Sequence, residues 1–327
     1  MEGKAFPPSF KLEGERGIMS KKKVTLKDNL RAMKFLSPSL ISMIILTVFP
    51  IICTVIIAFT NYNIKTLNKG FGFVGLKNFK DVLFGPLKEV FLPVFGWTIV
   101  SATIITLGGF IVGLIYALVL SNKNMKESAI YKGFLVVPWA LPAAIITISF
   151  TGLLNSQYGA INEILMNLHI ISEPIMWLTE AGPARLAVLL ISIWLGFPYM
   201  MNVCIGALSA IPETYYEAAS IDGASTLQKF FKITLPSLAN TAFPLLIGSW
   251  SFNFGSFTAA FLLFGGGPVR PDSPFAGYTD VLGSAAYKMT TQFGRFDLGA
   301  ALSIILFLIV GTIAFFQMRA SGQFKGE

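Results

Sequence analysis

Glu217-Ala218-Ala219, then Gly223, then Ile233-Thr234-Leu235-Pro236 make a polar interlude between two long apolar stretches. The chemistry these residues offer is mechanical rather than catalytic. Residues 211–235 read as two short helices joined by a turn. Pro212 suits a first helical position, and Asp222-Gly223 supplies a stop, because Gly reaches the left-handed conformation that ends helices. Ser225 and Gln228 have capping-box spacing for a second helix. In that helix Leu227, Phe230, Phe231 and Leu235 share one side, against the inner membrane surface or the adjacent span. The first helix presents Glu213, Tyr215, Tyr216 and Glu217 to the cytoplasm, where a groove of another protein could hold it with Glu217 offered to an Arg. A solvated loop fits the same pattern equally well. A channel or a self-powered pump has no use for such a segment, whereas a subunit driven by a separate motor protein needs one.

Conventional catalytic sets do not accompany it. The only histidine, His169, stands in a loop without a Cys or His cluster around it. Cys53 and Cys204 lie inside apolar runs, so neither a disulfide framework nor a Cys-ligated metal is expected. No paired acids or Ser/His/Asp set faces a membrane surface. Gly265-Gly266-Gly267-Pro268 reads as a flexible exit from a span, and no Gly-x-x-x-x-Gly-Lys-Ser/Thr phosphate loop occurs. The chain is therefore not expected to be an enzyme or to carry a cofactor, and it has no phosphate loop with which to hydrolyse ATP itself.

The elements that must position the interlude are membrane helices. Of 327 residues, 54% are hydrophobic and 13% charged, against about 25% charged in soluble domains. Apolar runs occupy 36–60, 95–120, 133–154, 186–210, 236–264 and 298–318, and none contains Asp, Glu, Lys or Arg. Each approaches or exceeds the ~20 residues that cross the hydrocarbon core. The fold class is thus all-α and polytopic, with six transmembrane helices. Segment 1–34 is basic and holds no apolar run, so it is neither a seventh span nor a signal peptide; Met19 before Lys21-Lys22-Lys23 is a second candidate start. With the N-terminus inside, the inner segments hold 16 of the 25 Lys and Arg, which places both termini and the interlude in the cytoplasm. The +8 net charge then reads as topology and not as nucleic-acid binding.

Pro138 and Pro142 fall in the third span, Pro198 in the fourth and Pro244 in the fifth. Each frees a backbone carbonyl that neighbouring helices or a hydrated cavity must satisfy, so these three spans are expected to surround a watery path. Kinks that merely aid packing explain any single proline as well. Gly108, Gly109 and Gly113 put small residues on one face of the second span, as close helix packing requires. Trp97, Tyr116, Trp177, Trp194 and Tyr278 are expected near span ends as interface aromatics. Short interfacial helices are expected after Phe73–Phe79 and over Thr279–Tyr287.

The order Glu-Ala-Ala, Gly six residues after the Glu, and Ile-x-Leu-Pro beginning sixteen after it resembles the coupling loop (211–236) of ABC importer permeases. Nearly the whole chain shares the likeness. Trp194–Met200, Phe230–Pro236, Phe252-Asn253-Phe254 and Ala276–Asp280 are similar to the MalF-type subunit of maltose and maltodextrin importers. The resemblance implies the type I ABC importer permease fold, with 35–327 as the six-span domain. It implies ATPase coupling by Glu213, Tyr216, Glu217, Ala218, Ala219, Asp222 and Gly223. It also implies a sugar path lined by Trp139, Ala143, Ser192, Leu195, Gly196, Tyr199, Ser249, Phe252, Asn253 and Ser256. The partners it implies are a MalG-type second permease, two ATP-binding subunits that hold ATP and Mg, an extracytoplasmic sugar-binding protein and the oligosaccharide, all at a bacterial or archaeal cytoplasmic membrane.

Those residue types suit a sugar. Aromatic faces stack on the C–H faces of pyranose rings, while Asn and Ser pair with hydroxyls; interhelical packing with polar glue is the plainer use of the same residues. Trp139 stands where Tyr is familiar in the family, Ala143 where Ser is, and Ser192 and Ser256 where Asn is. A larger aromatic platform with fewer long hydrogen-bonding chains suits a longer or differently linked glucan. The two extra N-terminal spans and the large outer insertion of some relatives are not expected here. The rival reading is an ion-coupled secondary sugar transporter, but such proteins place ionisable residues within the membrane. The six spans have none, although a sodium site built of carbonyls alone stays open.

Overall fold

The computed structural model describes residues 26–122 and 124–320, with side chains from Met33 onward except those of Asn240, Pro274 and Ala320. Of the basic N-terminal segment expected over 1–34, residues 1–25 lie outside the described residues and the remainder is already helical. Residues through Cys53 form one unit and those from Thr54 a second. Among the described residues five helices are long and apolar enough to cross a bilayer, and a sharply bent pair makes a sixth.

The first unit holds α1 (Leu26–Met43), a π-helical turn over Ile44–Val48 and the start of α2 (Phe49–Ala58). It is apolar on every side from Leu40 to Ile52, so lipid or other spans must cover it.

In the second unit α3 (Lys77–Leu83) follows the turn at Gly75, where a helix was expected. Helix α4 (Lys88–Leu120) starts seven residues before the expected span and tolerates Pro93 in its second turn. The third span departs most from expectation. It divides into α5 (Ser128–Ala140) and α6 (Ala143–Leu153), set at 88° to each other. Pro142 is the cause: it has no N–H to give, and its ring pushes Leu141 to an extended conformation (φ −87°, ψ 148°). Pro138, Pro198 and Pro244 stay inside helices. The carbonyls of Pro198 and Pro244 accept from Asn202 Nδ2 and Gln317 Nε2.

Helix α7 (Ala160–Asn167) leads to α8 (Ala181–Ser209), then α9 (Glu213–Ile221) and the short α10 (Thr226–Lys229). A π-helical turn over Phe230–Thr234 joins α10 to α11 (Leu235–Gly255), and α12 (Thr258–Phe264) follows after a break at Ser256-Phe257. A two-stranded antiparallel hairpin, β1 (Val269–Arg270) and β2 (Ser273–Gly277), adds a little sheet to the helical fold. The chain then continues as α13 (Leu282–Thr291) and α14 (Phe296–Ala320).

Helices α4 and α8 make the tightest join, through the expected glycines. A Cβ on Gly113 would lie 2.6 Å from the Met201 nitrogen, and one on Gly108 would lie 2.6 Å from Ile193 Cδ1. Gly109 faces the backbone of Gly196 and Phe197 at 3.9 Å. Below this join Leu114, Ala117, Met201, Cys204 and Leu238 form one buried cluster, and above it Phe91, Val94, Phe254, Leu282, Leu298 and Leu302 form another. Helix α11 is bonded to α4 by Trp250 Nε1 to Thr103 Oγ1 and Asn253 Nδ2 to Thr106 Oγ1, both at 2.9 Å.

Gly113→Val forces a side chain into backbone and is expected to cost about 1–3 kcal/mol, read as a lower melting temperature in detergent. Gly206→Ala, where a Cβ meets nothing within 4 Å, is expected to melt with the parent chain.

Candidate functional site

A cavity of about 680 Å³ opens among α4, α5, α6, α8, α11 and α12. All ten residues singled out in the sequence as sugar-lining border it. Ser192, Leu195, Gly196 and Tyr199 stand at i, i+3, i+4 and i+7 of α8; Ser249, Phe252, Asn253 and Ser256 repeat that spacing at the end of α11. Each set therefore occupies one helix face. Trp139 and Ala143 flank the break at Pro142, which turns the third span into the cavity wall.

The wall is aromatic and neutral. Trp139 and Tyr199 lie with ring centroids 6.2 Å apart and planes tilted by 43°, and Trp139 and Phe252 are 56% and 74% exposed, so their faces are open to a ligand. Asn253 spends its amide nitrogen on Thr106 and keeps its carbonyl oxygen as an acceptor. Among the described residues no Asp, Glu, Lys, Arg or His lines the cavity. Ser101, Ile105, Thr147 and Thr258 also line it and went unnoticed in the sequence. Nothing in their local spacing separates them from ordinary packing residues.

Around the β-hairpin a compact polar knot closes on α13. Asp280 pairs with Lys288 Nζ at 2.5 Å and accepts from the Gly277 N–H and Ser284 Oγ, each at 2.7 Å. Both charged side chains are buried, at 0% and 10% exposure. Arg185 donates its Nε to the Tyr278 carbonyl at 2.9 Å and lies 4.5 Å from the Trp97 ring centroid, a cation–π arrangement. Arg270 grips Asp272 at 3.1 and 2.6 Å, and this hydrogen bond holds the Asp272 carboxyl below its ordinary pKa.

Several expectations change here. The exit at Gly265–Pro268 is tied down, with Thr279 Oγ1 on the Gly267 carbonyl at 2.7 Å and the Gly266 N–H on the Ala260 carbonyl at 2.9 Å. Residues 282–289 are helical, but Leu282, Ala285, Ala286 and Met289 are buried rather than spread on an interface. Trp97 and Trp177 are buried with their indole N–H groups bonded to Thr279 O and Asn162 Oδ1, and Trp194 sits mid-helix against Phe150. Trp97 and Trp177 are packed parts of the protein, whereas Trp194 is 39% exposed.

The interlude keeps its turn and loses its second helix. Gly223 has φ 74°, and the Ala224 N–H returns to the Ala219 carbonyl at 2.9 Å, the helix stop expected of it. The Ser225–Gln228 capping box is formed, with contacts of 2.8 and 3.3 Å. Pro212 is the cap before α9 and not its first residue. The expected second helix is only the four-residue α10, which runs through the π turn into α11. That turn breaks the shared apolar side: Phe230 packs on the Met201–Cys204–Leu238 cluster, while Leu227 and Phe231 are 70% and 61% exposed. No residue of α9 is buried, and Glu217, Ala218, Asp222 and Gly223 are exposed. Tyr216, expected to face outward, is instead half-buried, its hydroxyl 2.9 Å from Thr234 Oγ1.

Membrane-length helices around a neutral cavity, with an exposed helix between two of them, define a multi-pass membrane permease. The chain belongs to the family of binding-protein-dependent transport system inner membrane components, whose pattern matches residues 109–323. It is 36% identical to the galactooligosaccharides transport system permease protein GanP of Bacillus subtilis (strain 168), over 89% of this chain and 70% of GanP. It is 40% identical to the maltose/maltodextrin transport system permease protein MalF of Vibrio vulnificus (strain YJ016), over 79% of this chain. The chain spans about half the length of that MalF, 50%. Its fold is similar to that of a bacterial ABC transporter involved in the import of the acidic polysaccharide alginate. That match has a TM-score of 0.74 at 21% identity and covers 92% of this chain and 98% of the other.

Asp280→Asn leaves the Lys288 ammonium buried without its partner and is expected to cost about 3–5 kcal/mol, measured as lost thermal stability in detergent. Asp280→Asn combined with Lys288→Met is expected to recover part of that loss.

Proposed function

We propose that this chain is one permease subunit of an ATP-driven, binding-protein-dependent importer of maltodextrin or a related neutral oligosaccharide. The observation that carries the proposal is the cavity itself: ten residues from four helices converge on one uncharged space with open aromatic faces. A polyhydroxylated ring presents C–H faces to Trp139, Tyr199 and Phe252 and hydroxyls to Ser192, Ser249, Asn253 and Ser256. The names of GanP and MalF support an oligosaccharide cargo. The exchange of family-typical Asn for Ser192 and Ser256, with Trp139 for Tyr, favours a chain longer than a disaccharide or joined by a different linkage.

In this reading both termini and α9 face the cytoplasm of a bacterial cell, as the Lys and Arg bias implies. A MalG-type subunit completes the pathway, two ATP-binding subunits hold ATP and Mg, and a sugar-binding protein docks outside. Helix α9, with Glu213, Tyr216, Glu217, Ala218, Ala219, Asp222 and Gly223, seats in the ATPase. Closure of the ATPase pair moves α9, and the cavity alternates between outward and inward access. The neutrality of the lining favours this over ion coupling, in which a carboxylate or histidine usually faces the path.

The test is uptake by the assembled complex in proteoliposomes. Radiolabelled maltodextrin is expected to enter only with internal ATP and loaded binding protein. Uptake driven equally by a proton or sodium gradient overturns the proposal. Trp139→Ala and Phe252→Ala are each expected to weaken uptake at limiting sugar about tenfold, the loss of one stacking contact. Replacing Gly223 by Val is expected to release the ATPase while leaving sugar binding in place.

A further inference from the structure

Helix α9 is fastened at both ends, and only one fastening is covalent and short. At its start, three residues (Ala210 to Pro212) connect it to α8, which carries Ser192, Leu195, Gly196 and Tyr199. At its end the chain passes through the turn Asp222–Ser225, with Gly223 in the left-handed region, and that turn by itself is a soft link. Two side-chain bonds bypass it. The Tyr216 hydroxyl meets Thr234 Oγ1 at 2.9 Å, and Lys229 Nζ donates to Ser220 Oγ at 2.6 Å. Thr234 is 5% exposed and is the last residue of the π turn.

The π turn explains why these groups meet. Leu235 N–H bonds the Phe230 carbonyl, one residue further back than in an α-helix. The extra residue rotates the preceding segment by about 100° relative to α11. From Leu235 the helix then runs unbroken to Gly255, about 30 Å at 1.5 Å per residue, and ends among Ser249, Phe252 and Asn253. One continuous helix, with Pro244 inside it, thus links the base of α9 to one wall of the cavity.

We propose that Thr234 with Tyr216, seconded by Lys229 with Ser220, is a latch that makes α9 and α11 move as one body. Displacement of α9 is then delivered to the cavity through α11 as well as α8, instead of being lost in the Gly223 turn. Thr234 and Lys229 are positioning residues in this scheme: they act through α9 and touch neither sugar nor ATP. The proposal rests on α9 being the ATPase seat.

The experiment uses the complete complex in proteoliposomes and compares Tyr216→Phe, Thr234→Val, their double variant and Thr234→Ser. The readout is sugar taken up per ATP hydrolysed, together with ATPase retained on the purified complex. Each single change is expected to lower uptake per ATP about fivefold, the factor carried by one net hydrogen bond, and Thr234→Val, whose side chain is not part of the ATPase seat, is expected to retain the ATPase at parental stoichiometry. The double variant is expected to match the single ones, since both break the same bond, and Thr234→Ser is expected to behave as the parent. Parental uptake per ATP in Tyr216→Phe and Thr234→Val overturns the latch, and so do losses that multiply in the double variant. Thr234→Ala removes the same hydroxyl without adding bulk at a site outside the ATPase seat, so it decides the question if Thr234→Val does not assemble. The seat itself fails on a separate sign: Glu217→Ala and Gly223→Val that both retain ATPase and its stimulation overturn seat and latch together.

Discussion

The rest of the structure depends on how closely α4 and α8 approach. In lipid no hydrophobic force drives helices together, so association rests on packing and the few polar contacts available. Gly113 against Met200 and Met201 lets two backbones meet where a side chain would hold them apart, and Gly109 lies in ordinary contact with the backbone of Gly196. That contact also sets the rotation of α8. With Met201 and Cys204 turned into the join, Ser192, Leu195 and Tyr199 are left on the face that borders the cavity. Gly196 serves both sides, because it has no side chain to claim either.

The second constraint is that the cavity must have irregular backbone without orphaned polar groups. Pro142 provides the irregularity by breaking the third span through 88°, and the cavity beside it gives the freed carbonyls somewhere wet to point. The region of the hairpin and α13 answers differently. There Asp280 spends its charge on Lys288, Ser284 and the Gly277 N–H, a satisfied network that holds hairpin and helix together. One region is left open and neutral, the other closed and charged.

Much was legible in the chain, for physical reasons that can be named. The six spans follow from runs of uncharged apolar residues, because a bilayer punishes any charge regardless of tertiary context. The Gly223 stop and the Ser225–Gln228 box were legible because both are local, completed within four or five residues. The ten cavity residues came from family likeness, and the structure gathers all of them around one space. Errors arose where burial was the question. Trp97 and Trp177 have the composition of interface anchors yet are packed inside, and Tyr216 reads as surface yet turns toward Thr234. The π turn was illegible too: an inserted residue is stabilised by what α10 and α11 meet and not by the sequence Phe-Phe-Lys-Ile-Thr.

By itself, then, the sequence determined the solvent, the number of apolar spans and the helix stops, since each depends on charge, hydropathy or backbone freedom read along a few neighbouring residues. It did not determine which proline breaks a helix, which face of α8 meets α4, or which polar group in the interlude turns inward. Those were decided only in the tertiary structure. Pro138 and Pro142 are chemically alike, and only the packing around each residue distinguishes a tolerated proline from a hinge. A hydroxyl such as that of Thr234 acquires its role only when another helix brings it a partner.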